Sequence, residues 1–350
     1  MAVAAMSRKR KQRERLPLAL MWTALALTGI PLRTLACDIC AIYTATELQE
    51  SRTGLRLGLA EQFTRFATLQ ADGHKIDNPA HERLESSITQ LIVGYGWHPR
   101  FLLQLNMPVI HRSFRRATAN GVERDEISGV GDISIHAFAT LFHRVQENSL
   151  QRLACSLGIE LPTGSPRRLR EELTGEDSLH SDIPPVFRGQ RFRPRHSGPA
   201  VRSGIHGHDL TLGSGSTDVI LSAQWLGTYR RLYGTLLAQY FVRTPGSYDY
   251  TFADETIVSG GPGLFLWTRH DSTLGIQSVL TLDTKGTDTL NGTRLGDTGA
   301  TFLYVGPAAH WTWRTNLSLD LGIDIPVVRN NTSLQIVPDL RLRGGFVWRF

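Results

Sequence analysis

Leu334-Gln-Ile-Val-Pro-Asp-Leu-Arg-Leu-Arg-Gly-Gly-Phe-Val-Trp-Arg-Phe350 ends the chain, and its two interleaved registers decide the fold. Leu334, Ile336, Leu340, Leu342, Phe346, Trp348 and Phe350 share one parity, while Gln335, Asp339, Arg341, Arg343 and Arg349 take the other. Side chains project to opposite faces of a strand with period two, so this segment carries one greasy face and one Arg-bearing face. A soluble sheet would bury the greasy parity; a membrane-spanning barrel turns it toward lipid and turns the charged parity into its hollow.

The same alternation recurs upstream. Leu317, Leu319, Leu321, Ile323 and Ile325 interleave with Ser318, Asp320, Gly322 and Asp324, and Phe101, Leu103, Leu105, Met107 and Val109 oppose Gln104 and Asn106. No amphipathic helix carries a period of two. Twelve segments of this kind are expected near residues 53–67, 84–97, 101–113, 129–143, 150–162, 209–226, 231–244, 252–268, 272–284, 299–313, 315–328 and 333–350. The links between them alternate in length: short at Pro99 and Arg100, 144–149, 227–230, His270 and Asp271, and Arg314, but long at 68–83, 114–128, 163–208 and 285–298. Only the links near Ser247 and Asn330 spoil the contrast. Outer-membrane barrels have short periplasmic turns and longer outer loops. The expected fold is therefore all-β, an antiparallel transmembrane β-barrel of about 12 strands with both ends on the periplasmic side. Tyr95 and Trp97, Trp225 and Tyr229, Phe265 and Trp267, Trp311 and Trp313, and Phe346 and Trp348 mostly sit beside the short turns, as an interfacial aromatic girdle would.

The amino end carries an export signal. Arg8, Lys9, Arg10, Lys11, Arg13 and Arg15 precede an uncharged apolar run, Leu16 to Leu32, and a small-residue junction at Thr34-Leu35-Ala36. These are the three parts of a cleaved secretory peptide, residues 1–36; Pro17, Pro31 and the shortness of the run argue against a retained anchor. Seven of the 38 Lys and Arg and one of the 32 Asp and Glu lie in that segment, leaving 31 of each, so the formal charge of +6 belongs to the export peptide. No nucleic-acid partner is expected. Residues 37–52 read as a periplasmic leader containing Cys37-Asp38-Ile39-Cys40, and 53–350 as the barrel, with 163–208 a long extracellular loop. Three cysteines exclude a disulfide scaffold. Ala41 stands where covalent haem would need His, and a single Cys pair cannot complete a four-coordinate zinc site. A local Cys37–Cys40 disulfide is the plain reading, with metal or redox contact in the periplasm the alternative. Cys155 shares parity with Leu153, Leu157 and Ile159, on the lipid side.

A barrel of this size has a narrow interior. By parity Asp132, Ser134, His136, Glu160, Asp218, Gln239, Arg243, Asp320, Asp324, Arg341 and Arg343 line it. Both signs of charge are present, which fits either a polar path for a small solute or a set of cross-barrel ion pairs that plug the hollow. The long loop carries Arg167, Arg168, Arg170, Arg188, Arg191, Arg193, Arg195 and Arg202 among His180, His196, His206 and His208, partly balanced by acidic residues such as Glu171, Glu172 and Asp182. A solvated loop is the plain reading; contact with lipopolysaccharide phosphates, an inward constriction, and metal binding through the histidines are alternatives. Ser134 and His136 share one strand and one side, but that side is the lumen and no Gly-x-Ser-x-Gly elbow is present. Neither catalysis nor a cofactor is expected.

Three motifs carry a resemblance: Gly129-Val-Gly-Asp-Ile-Ser-Ile135, Gly158-Ile-Glu-Leu-Pro-Thr-Gly164 and Gly213-Ser-Gly-Ser-Thr-Asp-Val219. Their order and placement resemble the outer-membrane barrels of the MetA-pathway phenol-degradation family, in which the first and third motifs begin strands and the second ends one. The aromatic Phe350 resembles the carboxy-terminal signal read by the barrel-assembly machinery. The resemblance implies residence in the outer membrane of a Gram-negative bacterium, among lipid and lipopolysaccharide. It also implies a channel or facilitator for passive passage of small, aromatic or apolar solutes, and supplies no catalytic residues. The Arg/His loop and the Cys-x-x-Cys leader depart from it. The alternative is a closed structural or interaction barrel whose Cys37/Cys40 leader contacts a periplasmic redox or metal-handling partner. A secreted β-sandwich or lipocalin-like binder would share the alternation but bury its apolar parity.

Overall fold

The computed structural model describes residues 53–118, 121–174, 203–314 and 316–350; the export signal, Cys37 and Cys40 lie outside these. Twelve antiparallel staves close on themselves. In chain order the strands are β1 (Gly54–Ala71), β2 (Arg83–His98), β3 (Phe101–Thr118), β4 (Gly121–Val130), β5 (Ile133–Gln146), β6 (Ser149–Leu161) and β7 (Asp218–Tyr229). They continue with β8 (Leu232–Val242), β9 (Glu255–Thr268), β10 (Ser272–Lys285), β11 (Ala300–Trp313), β12 (Leu317–Asn331) and β13 (Leu334–Arg349). Strands β4 and β5 form one stave, pairing successively along β3 and interrupted at Gly131 and Asp132. Strand β13 returns to β1, from Arg56–Arg349 to Ala71–Leu334, so no edge is left open. That closure excludes an open sandwich.

The alternation settles which side meets lipid. Leu321 is 66% exposed beside Asp320 at 2%, and Leu103 is 47% exposed beside Gln104 at 3%. A belt of exposed Leu, Ile and Val running around a closed sheet is far too large an apolar patch for a water-facing surface. Lipid is its solvent. Tyr95, Trp97, Tyr229, Trp267, Trp311, Trp313 and Trp348 are exposed near the short turns, where the girdle was expected.

Two of the residues expected on the lipid side turn off it, each at an irregularity of register. A bulge between Phe265 and Trp267 turns Phe265 off the exterior to stack on the buried Tyr233, ring centroids 4.6 Å apart, while Trp267 still faces out. Register shifts between Arg65 and Thr68 opposite Pro338 turn Ile336 inward, where it packs with Phe66 and Leu84. One extra residue flips every side chain beyond it. Asp339 occupies the second irregularity, accepting from the Ala67 N–H at 2.8 Å and the Thr68 hydroxyl at 2.6 Å.

Two ladders are also interrupted. Pairing of β9 with β10 stops at Gly260–Leu280 and resumes at Gly263–Gln277; pairing of β11 with β12 stops at Val305–Ile325 and resumes at Ala308–Gly322. Pro262 and Pro307, which have no N–H to donate, fall in the two gaps. Ser278 pairs with Pro307 between them, so the gaps lie at one level of the wall. An apolar concavity of about 980 Å³ spans this level, lined by Leu264, Ile276, Val305, Leu321, Ile323 and Leu342 among others. Gly306 is required there, because a Cβ would lie 1.6 Å from the Ile323 carbonyl oxygen.

Candidate functional site

The described ends of the long loop do not remain outside the barrel. Residues 203–217 enter the mouth and are largely buried, and short helices α1 (Arg170–Thr174) and α2 (Gly207–Leu210) sit there. The strand expected over 209–226 therefore starts only at Asp218. Leu210 and Leu212 alternate like strand residues, but they anchor the inward segment. Ile205 and Leu210 pack with Phe66, Leu84, Phe114 and Ile336, and Leu212 packs with Ile88 and Ile110. Polar contacts complete the seat: Arg112 donates to the Thr211 carbonyl at 2.5 Å, and Glu82 accepts from the Ala117 and Gly204 N–H groups at 2.7 and 2.9 Å.

The three motifs meet at this seat. Asp132 of the first accepts from the Gly164 N–H of the second at 2.8 Å. Its other oxygen accepts from the N–H and hydroxyl of Ser214, in the third motif, at 2.7 and 2.9 Å. The Thr163 hydroxyl donates to the Gly131 carbonyl at 2.9 Å. Gly213 has no room for a side chain, since a Cβ would lie 2.7 Å from both Asp132 Oδ1 and the Gly164 backbone. Beside this knot Arg243 pairs with Glu160 at 2.6 Å and Asp218 at 2.7 Å, with Glu255 at 3.9 Å. All four side chains are nearly inaccessible.

The remaining expected lumen residues also face inward. Asp324 receives both Nε and Nη2 of Arg343 at 2.7 Å. Arg341 donates to Asp283 and to the Tyr304 hydroxyl, each at 3.1 Å. Asp320 bonds His310, whose other ring nitrogen lies 3.0 Å from Gln277 Oε1. Gln239 is 2% exposed. Ser134 Oγ and His136 Nε2 are 3.0 Å apart, but the Nδ1 of His136 has no hydrogen-bond partner, so no carboxylate orients the ring as a catalytic triad would need. The polar hollow is thus extensively cross-paired. The inward parity is not polar throughout: Phe66, Leu84, Phe114, Ile220, Phe241, Ile257, Phe302 and Val337 are buried on the strand halves next to the long loops.

Several contributors escape a reading by motif. Glu82 and Arg112 hold the inward segment, and Lys285 meets Asp288 at 2.7 Å in a fully buried pair. Glu172 of α1 contacts His208 at 2.9 Å. Burial disfavours the charged His208 imidazole, but Asp209 and Glu172 outweigh it and raise the group to about 10. Burial likewise opposes the Glu172 carboxylate, yet His208 lowers it to about 2.

An outer-membrane channel from Pseudomonas putida F1 superposes over 85% of this chain and 96% of its own length, with a TM-score of 0.57 at 16% identity. The chain is a closed twelve-stranded β-barrel with the fold of that channel. The beta domain of the Bordetella autotransporter Brka (TM-score 0.43, 9% identity, 85% of this chain and 100% of that one) matches less well. So does the translocator domain of the autotransporter NalP from Neisseria meningitidis (0.40, 12%, 87% and 91%). No protein-family model and no curated protein matches the chain. At the level of fold, the barrel agrees with what the three motifs implied.

Proposed function

We propose that this barrel is a facilitator for passive passage of small, apolar or aromatic solutes across the outer membrane, with residues 203–217 as its gate. The observation that carries the reading is the apolar patch at the mouth: Phe66, Leu84 and Phe114, opposite one another on three neighbouring strands, pack against the inward segment where a hydrophilic pore would present unpaired charge. The charged groups of the hollow already pair with one another, Arg243 with Glu160 and Asp218 beside the mouth and Arg343 with Asp324 midway along the strands. The fold shared with a protein described as an outer membrane channel supports it. Uptake into proteoliposomes is expected to be faster for a monoaromatic solute than for a pentose of similar size, and planar-bilayer recordings to show sparse openings. Equal or faster pentose uptake would overturn the preference, and silence in both assays would overturn passage.

The aligned ladder gaps favour a second reading, a sideways exit from the lumen into lipid for the same solutes. Ser278 faces outward within the concavity. Ser278→Trp is expected to slow aromatic uptake several-fold and leave ion conductance unchanged. A parallel fall of both would place the solute path along the barrel axis.

A further inference from the structure

We propose that His206, His208 and Asp209 form a site for one divalent transition-metal ion of the zinc or nickel class, which clamps residues 203–217 in the mouth. Their ligand-capable atoms all lie within 4.8 Å of one another. His206 is 1% exposed, and neither of its ring nitrogens has a hydrogen-bond partner. The carboxylate oxygens facing them, Asp209 Oδ2 and Asp297 Oδ2, stand off at 3.7 and 3.8 Å, beyond hydrogen-bonding range. A buried imidazole left this way is costly, and an ion held between it and its neighbours removes the cost.

The surrounding groups are wired as metal ligands commonly are. His208 Nδ1 lies 2.9 Å from Glu172 Oε1; when an entering ion displaces the proton on Nε2 and the other stays on Nδ1, the Nε2 lone pair is freed on the side of Asp209, whose Oδ1 is 3.5 Å away. A carboxylate behind a ligating imidazole fixes its tautomer and orientation. Asp209 is fixed in turn, its Oδ2 accepting the His206 backbone N–H at 2.9 Å. The two imidazoles stack with centroids 5.3 Å apart and planes at 18°, so their nitrogens present side by side. Two imidazole nitrogens with one carboxylate oxygen suit zinc, nickel or cobalt; calcium and magnesium prefer all-oxygen sets. Metal–nitrogen bonds of about 2.0–2.1 Å require the three side chains to draw together as the ion enters, with water or Asp297 in the fourth position.

The alternative is a cluster of protonated imidazoles among carboxylates that needs no metal. Full-length protein without a polyhistidine tag, stripped with EDTA in detergent, is titrated with Co²⁺ and followed by visible d–d absorption and equilibrium dialysis. One Co²⁺ per barrel is expected, displaced by Zn²⁺, with both signals lost in His206→Ala and His208→Ala. Glu172 is a positioning residue, so Glu172→Gln should keep the spectrum while weakening binding roughly 10–100-fold. His180, His196, Cys37 and Cys40 offer other ligands, so the double variant Cys37→Ser, Cys40→Ser must retain full binding. Heat-modifiable gel migration checks folding, and His206→Gln and His208→Gln replace any alanine variant that fails to fold. Folded wild type that binds no Co²⁺, or binding that survives loss of either histidine, overturns the site. The readout is ligation, so it is independent of whether the barrel passes any solute.

Discussion

Replacing Arg243 with Ala is expected to lower barrel stability by about 3–5 kcal/mol, the range for stranding buried charge. Its guanidinium is 3% exposed and lies between Glu160 and Asp218, themselves 10% and 0% exposed at the side chain. Without it, the Glu160 and Asp218 carboxylates, opposite each other on paired strands, are left buried side by side with no cation between them. The cost comes mainly from the stranded acids rather than from the lost attraction. Neutralising them together, as Arg243→Ala with Glu160→Gln and Asp218→Asn, should therefore recover at least half of the loss. Urea midpoints read from heat-modifiable migration test the ordering. A single variant within about 1 kcal/mol of wild type would mean that water already reaches these acids.

The fold was legible because a barrel in lipid writes its two solvents into alternate residues. Leu321 and Asp320 take opposite sides as their parity demands, and the longest links gather at one end of the staves, although 114–128, expected as a long link, is mostly strand that turns between Thr118 and Gly121. Legibility failed wherever the period slipped. Phe265 and Ile336 turned inward at irregularities that no local motif announces. The inward segment failed differently: Leu210 and Leu212 have a strand's alternation, yet both anchor in the mouth, and only the small-residue run from Gly213 to Ser216 marks where the chain turns into β7. Of the site, the eleven residues that parity assigned to the hollow point inward, but parity gave none of their partners. Asp132 and Ser214 lie 82 positions apart, and His208 and Glu172 lie 36 apart; the turning of the long loop into the mouth, not spacing, brings each pair together.

Asp132 is the residue on which the gate is expected to depend most. Its carboxylate accepts three hydrogen bonds, from Gly164 and twice from Ser214, and so ties the start of β5 to both ends of the long loop. Each such charge-assisted bond contributes about 1.5–3 kcal/mol. Asp132→Ala removes both acceptor oxygens and all three bonds, and leaves two backbone N–H groups to find water, which they can do only if the segment leaves its seat. A net loss of about 3 kcal/mol would shift the ratio of seated to released segment by roughly 100-fold. The apolar anchors at Ile205, Leu210 and Leu212 oppose that release, so Asp132→Ala should raise open probability strongly, and Asp132→Ala with Leu210→Ala more strongly still. Asp132→Asn is the control: its amide oxygen can still accept, and it should sit between wild type and Ala. Single-channel recordings separate the outcomes. Longer openings at unchanged unit conductance support a released gate, a changed unit conductance would place Asp132 on the permeation path itself, and no change would show that the apolar contacts alone hold the mouth shut.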